Sequence, residues 1–148
     1  MATPDDNRQI VRGVTADGVD TGDLTVSVEL RAPDSARHSQ ATTEMPEIRG
    51  REAMLAFLEA TFAAFPDWHD EIELMVAEGD KVAYVTTGTG TNTGPMGPMP
   101  PTGKPVSVVN HITQRIEDGR IAETWIEWDN LAVLAQLGLF PPPDADPA

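Results

Sequence analysis

The sequence predicts an α+β domain: helical material first, then consecutive β-hairpins, then a short terminal helix. Three observations carry this reading. Within residues 51–65, Met54, Leu58, Phe62 and Phe65 fall three or four positions apart on one face, and Pro66 stops the run. Residues 68–91 change to a period of two, with Trp68, Ile72, Leu74 and Val76 in one row. A turn at Glu78-Gly79-Asp80 follows, and Val82, Tyr84 and Val85 mark the returning strand. Residues 105–128 repeat the hairpin pattern about Glu117-Asp118-Gly119, and connections this short make the sheet mostly antiparallel.

Taken in order, residues 1–9 and 141–148 (PPPDADPA) are polar or proline-rich and read as frayed ends. Residues 23–30 alternate Leu24, Val26, Val28 and Leu30, as a strand does, yet Ala32-Pro33-Asp34 follows as it would after a helix. Periodicity leaves that segment open. After the 51–65 helix and the first hairpin comes a Gly/Pro/Met loop at 93–103, then the second hairpin. Residues 130–137 form a short helix with Asp129 or Asn130 as N-cap and Gly138 past its end.

At 148 residues the chain is one domain, spanning 1–148 with a core at about 10–140. Hydrophobic residues at 40% and charged residues at 23% are a globular balance. A net charge of −14 repels phosphate backbones and anionic lipid, so neither nucleic acid nor a membrane surface is an expected partner. Cysteine is absent, which excludes disulfides, thiolate nucleophiles and Cys-based metal sites. The first residues lack the layout of a signal peptide, and a cytoplasmic location is expected.

The second hairpin is where chemistry is expected. If its turn is a three-residue loop, Ile116 faces Arg120, His111 falls opposite Trp125, Val109 opposite Glu127 and Ser107 opposite Asp129. One face then presents Ser107, Val109, His111, Thr113, Trp125, Glu127 and Asp129. The other, with Val108, Asn110, Ile112, Ile126 and Trp128, is much more apolar. An imidazole beside an indole and two carboxylates can hold one group protonated and another ionised. The same residues also fit a solvated sheet face, and a one-residue change of register would exchange the faces. Gly88-Thr89-Gly90-Thr91-Asn92-Thr93-Gly94 lacks the Lys-Ser/Thr ending of a phosphate loop and reads as a strand end. His69 lies out of phase with the core row and reads as surface. No His pair stands at metal-ligand spacing, and no metal site is expected.

Several segments together resemble the SnoaL-like polyketide cyclase family of the nuclear transport factor 2-like superfamily. They are Thr21-Gly22-Asp23-Leu24, Ala32-Pro33-Asp34 with His38, Gly50-Arg51-Glu52 and Phe65-Pro66-Asp67-Trp68-His69. Further along come Ala77-Glu78-Gly79-Asp80-Lys81-Val82, Gly88-Thr89-Gly90-Thr91 and Pro100-Pro101-Thr102-Gly103-Lys104-Pro105-Val106. Glu117-Asp118-Gly119-Arg120-Ile121, Glu123-Thr124-Trp125, Asp129 and Leu134-Ala135-Gln136-Leu137-Gly138 complete the series. The resemblance implies a conical barrel: N-terminal helices packed on a curved, mostly antiparallel sheet around one deep apolar pocket, with a short C-terminal helix. It also implies a homodimer and no cofactor, and it favours helix for residues 23–30. The sequence departs from relatives, which usually begin with a long aromatic-rich helix, at residues 10–20, which carry Gly13, Thr15 and Gly18 and no aromatic residue, and at Thr124, where relatives often carry His.

On this resemblance the His111 face is expected to look into the pocket. The implied function is a cofactor-independent cyclase that closes a ring on a hydrophobic polyketide-like or other secondary-metabolite intermediate, by an aldol or epoxide-opening route. Asp129 would be the acid/base, with His111 its partner, Glu127 a third candidate and His38 at the pocket mouth. Trp125, Tyr84, Phe62, Trp68, Met96 and Met99 would line the pocket, with the two methionines in an adaptable lid. Alternatives on the same scaffold are an isomerase, a hydrolase, a hydroxylase partner or a non-catalytic small-molecule carrier.

Overall fold

The computed structural model describes residues 2–141. Helix α1 (Pro4–Arg12) occupies much of the segment that composition marks as frayed. Its cause is local. The Thr3 hydroxyl accepts from the Asp6 backbone N–H, the Asp6 carboxylate accepts from the Thr3 N–H, and Pro4 enters the first turn. The expectation for the C-terminal tail falls outside the described residues.

Helix α1 continues into a π-helical turn, Gly13–Val19, so this glycine-bearing segment departs from regular α-helix. Helix α2 (Leu24–Glu29) settles the open segment in favour of helix. The Asp23 carboxylate accepts from the N–H groups of Thr25 and Val26, and the buried face carries Ser27. A cap and a small buried residue therefore outweigh the alternating apolar row. Helix α3 (Arg51–Ala64) ends just before Pro66.

The six-stranded sheet runs β2 (Glu47–Arg49), β1 (Arg31–His38), β6 (Arg120–Glu127), β5 (Pro105–Glu117), β4 (Lys81–Thr91), β3 (His69–Glu78). All neighbours are antiparallel except β1 and β6, which join the first strand to the last in parallel. Helix α4 (Asn130–Gln136) is the last regular element among the described residues, with Asp129 as its N-cap.

Two irregularities decide which side chains share a face. In β3 the register shifts between Ile72 and Leu74. Leu74 and Val76 therefore point outward, 56% and 60% exposed, instead of continuing the row of Trp68 and Ile72. In the second hairpin the turn is two residues long, with Asp118 and Gly119 both at positive φ (51° and 74°). A second shift, after Arg115, places His111 opposite Glu127 and Thr113 opposite Trp125.

The membership of the two hairpin faces is as the pattern predicts, but their direction is the reverse of the family-based expectation. Val106, Val108, Asn110, Gln114, Ile116 and Thr124 are buried on the concave side, while Ser107, Val109, His111, Trp125 and Glu127 are exposed on the convex side. The physical reason is the ordinary one: the more apolar face is the one removed from water. One apolar cluster (Val11, Val14, Val82, Tyr84, Ile116 and Ile121) packs the sheet under α1. Another (Ala64, Phe65, Val106 and Leu137) joins the end of α3 to α4.

Candidate active site

Between those clusters the concave face and the helices enclose a cavity of about 480 Å³. Its walls are mostly apolar, with Met54, Phe57 and Phe62 from α3, Trp68 before β3, Ile112 and Val108 from β5, and Trp128 after β6. Polar groups converge on it from five strands: Arg31 and Arg37 (β1), Asp70 (β3), Tyr84 and Thr86 (β4), Asn110 and Gln114 (β5), and Thr124 (β6). This is the usual chemistry of a small-molecule site, an apolar hollow with a few placed polar groups.

Two hydrogen-bond chains organise them. Trp68 Nε1 donates to Asp70 Oδ2 at 3.0 Å, the Thr86 hydroxyl donates to Oδ1 at 3.4 Å, and Asn110 Nδ2 donates to Thr86 Oγ1 at 3.2 Å. Separately, Tyr84 OH donates to Gln114 Oε1 at 3.0 Å, and Gln114 Nε2 and Arg31 Nη1 both donate to Thr124 Oγ1, at 3.2 and 3.3 Å.

Burial raises the pKa of the Asp70 carboxyl above the ordinary 3.8, against the lowering effect of its Trp68 hydrogen bond; the nearby Asp20 charge adds to the rise. Burial also raises the Tyr84 phenol, so it stays a neutral donor. Arg37 is lowered to about 10, by burial first and then by the Arg31 charge.

The backbone cradles this arrangement. A Cβ at Gly88 would stand 2.3 Å from Trp68 Cζ2, and one at Gly90 would stand 2.9 Å from Trp68 Cε3. The two glycines of β4 thus make room for the indole that orients Asp70. The loop after β4 is tied down. Asn92 Nδ2 donates to the carbonyls of Ala64 and Gly94, and its Oδ1 accepts from Thr102 N–H and hydroxyl.

Of the residues singled out from the sequence, Tyr84, Phe62, Trp68 and Met96 line the cavity. Met99 does not; it bridges Met96 through paired 3.0 Å backbone hydrogen bonds. His111, Glu127 and Trp125 border a shallow hollow on the convex face instead. Glu127 accepts from the Gln40 N–H, and exposed Asp129 accepts from Ala132 N–H at the start of α4. His38 is also outside the cavity: its Nε2 lies 2.7 Å from Glu123 Oε2, and its ring stacks on Trp125 at 5.8 Å. These positions leave the proposed His111–Asp129 pair with no shared enclosed space. Among the described residues no group of three or more His, Asp or Glu is close enough to hold a metal ion.

Over residues 9–137 the chain matches the family model described as SnoaL-like polyketide cyclase. It belongs to that family. The SnoaL-like chain also resembles solved structures along nearly its whole length. IdmH of Streptomyces antibioticus, a proposed polyketide cyclase, is 33% identical over 90% of this chain and 99% of its own, with a TM-score of 0.75. AclR of Streptomyces galilaeus, a proposed hydroxylase, is 27% identical over 94% and 100%, with a TM-score of 0.81. A proposed SnoaL-like polyketide cyclase from Jannaschia sp. CCS1 is 26% identical over 95% and 99%, with a TM-score of 0.83. No curated protein matches the chain. The fold is thus the one these solved structures share.

Sequence reasoning missed Asp70, Arg31, Arg37, Gln114 and Asn110 as cavity-lining residues of this SnoaL-like domain. For Asp70 the signal was present. It stands between Trp68 and Ile72 in the alternating row, a carboxylate at a core-phase position. Asn110 and Gln114 likewise share the phase of Val108 and Ile112. Arg31 and Arg37 had no usable phase, because β1 contains Pro33 and an interrupted register between Arg31 and Ala36.

Proposed function

We propose that this protein is a cofactor-independent cyclase acting on a polyketide-like small molecule folded inside the cavity, with Asp70 as the proton-transferring group. The observation that carries the reading is a carboxyl held in an apolar hollow by an indole N–H and a hydroxyl, with its pKa raised by burial. A raised pKa makes the carboxylate a stronger base. In the aldol route, Asp70 takes a proton α to one carbonyl, and the resulting carbanion attacks a second carbonyl carbon. A carbon–carbon bond forms, and the alkoxide takes the proton back. Family membership and the likeness to IdmH support ring closure as the chemistry; the cavity's enclosing shape supports selection of a folded conformer.

The proton-transfer step has a direct test in the exchange of α-protons of 2-tetralone in D₂O, followed by NMR. The wild type accelerates exchange over buffer, Asp70→Asn lowers the enzymatic rate about 10²-fold or more, and His111→Ala leaves it unchanged. Exchange that survives in Asp70→Asn rejects Asp70; binding without any exchange in the wild type favours a carrier.

The reading includes a homodimer formed through the convex face. Leu74, Val76, Val109 and Trp125 expose apolar surface there, at 56, 60, 49 and 38%. Light scattering of the wild type gives twice the chain mass, and Val76→Glu gives the monomer. A monomeric wild type refutes this part.

A further inference from the structure

Two guanidinium groups face the cavity, and neither is ion-paired among the described residues; the Glu127 carboxylate acts on Arg37 only at longer range. Arg31 and Arg37 are 7% and 6% exposed, and no carboxylate lies within ion-pairing distance of either among the described residues. Arg31 Nε and Arg37 Nη1 are buried without a hydrogen-bond partner. Burying an unpaired charge is strongly unfavourable even after local relaxation. A chain with twenty-four acidic residues does not lack carboxylates to pair with them.

The groups that do touch these arginines leave donors free. The Arg37 guanidinium carbon sits 4.4 Å from the Phe57 ring centre and 5.8 Å from that of Trp128. Ring contacts of this kind use the flat face of the guanidinium and do not satisfy its N–H edge. Arg31 spends one Nη1 donor on Thr124. Asp70 is not their partner: its oxygens are engaged by Trp68 and Thr86, and the charges that act on it are Asp20 and His69. Two like charges held near one another, in an apolar enclosure, fit a site completed by an anion.

We propose that the cavity takes a ligand with an apolar body and a carboxylate, the carboxylate seated on Arg31 and Arg37. Bidentate recognition of a carboxylate is what a guanidinium fork does best. The inference rests on the cavity being the ligand site, and it names the substrate class: a carboxylic acid, held at one end by β1 while its carbonyl region reaches Asp70.

The test compares anthraquinone-2-carboxylate with anthraquinone-2-carboxamide, which has the same shape and no charge. Quenching of tryptophan fluorescence reports binding, because Trp68 and Trp128 both line the cavity. The wild type is expected to bind the carboxylate at least 10-fold more tightly than the amide. Arg37→Gln and Arg31→Gln reduce that preference to within about twofold while amide binding persists, and Arg37→Lys keeps part of it. Melting curves check that each variant is folded, and the wild-type preference stands as evidence without any variant. Asp70→Asn retains the preference even though it loses proton exchange, which separates this inference from the acid/base reading. Equal affinity of the wild type for the two probes, or binding of neither, overturns it.

Discussion

Replacing Gly88 with alanine probes the link between backbone and site most sharply. The added methyl carbon would lie 2.3 Å from Trp68 Cζ2 and 2.9 Å from Asp70 Oδ1, whereas ordinary contact begins at 3.4 Å. The indole must therefore retreat by about 1 Å. It cannot do so without stretching its 3.0 Å hydrogen bond to Asp70 and its edge-on contact with Phe65. Overpacking of this kind costs about 1–3 kcal/mol. Weakening a hydrogen bond to a charged acceptor adds about 1–2 kcal/mol, less than its full worth because the bond is not abolished. The sum, about 2–5 kcal/mol, corresponds to a fall in Tm of roughly 5–15 °C for a domain of this size. Thermal melts followed by circular dichroism read the stability, and tryptophan emission reads the displacement. The double variant Trp68→Phe/Gly88→Ala should lose less than the two single losses added, because the smaller ring leaves space. A Gly88→Ala protein that melts within 1 °C of the wild type, with unchanged emission, refutes the cradle argument.

Other consequences are simpler to state. Between pH 3.8 and the raised native value, the folded chain keeps a proton on Asp70 that the unfolded chain has lost, so this group's contribution to stability falls as pH rises through that window. Asp70→Asn has no such proton, so the Tm difference between variant and wild type should shift in the variant's favour across that window and hold steady above it, while proton exchange is lost. Tyr84→Phe removes the donor that satisfies buried Gln114 and should cost about 1–3 kcal/mol in denaturant unfolding. Asp129→Ala should lose about 1 kcal/mol from the α4 cap and leave tetralone exchange intact, which distinguishes a cap from a catalyst.

Legibility in the sequence follows physical type. Helix α3 and the paired strands were readable because apolar spacing and turn residues agree there. The start of α1 was not, since it depends on a single capping box around Thr3 and Asp6. Strand β1 was unreadable for another reason: it holds Pro33 and buries two arginines, so its pattern matches no half-apolar strand. The face that looks into the cavity was misplaced by preferring a constellation of His111, Glu127 and Asp129 over plain patterning, in which Val108, Ile112, Ile126 and Trp128 make the other face the more apolar one. That same patterning carries Asn110 and Gln114 into the cavity. Asp70 shows the general lesson, because a charged side chain in phase with a core row marks either a mistake in the row or a site.

The claim on which the account turns is that a buried carboxyl in the cavity is poised for proton transfer. Carbon-13 NMR of aspartate-labelled protein measures it, with the Asp70 resonance identified by its loss in Asp70→Asn. The account predicts a titration midpoint above 3.8 that moves when anthraquinone-2-carboxylate binds. A midpoint at or below the ordinary value, unmoved by the ligand, contradicts it.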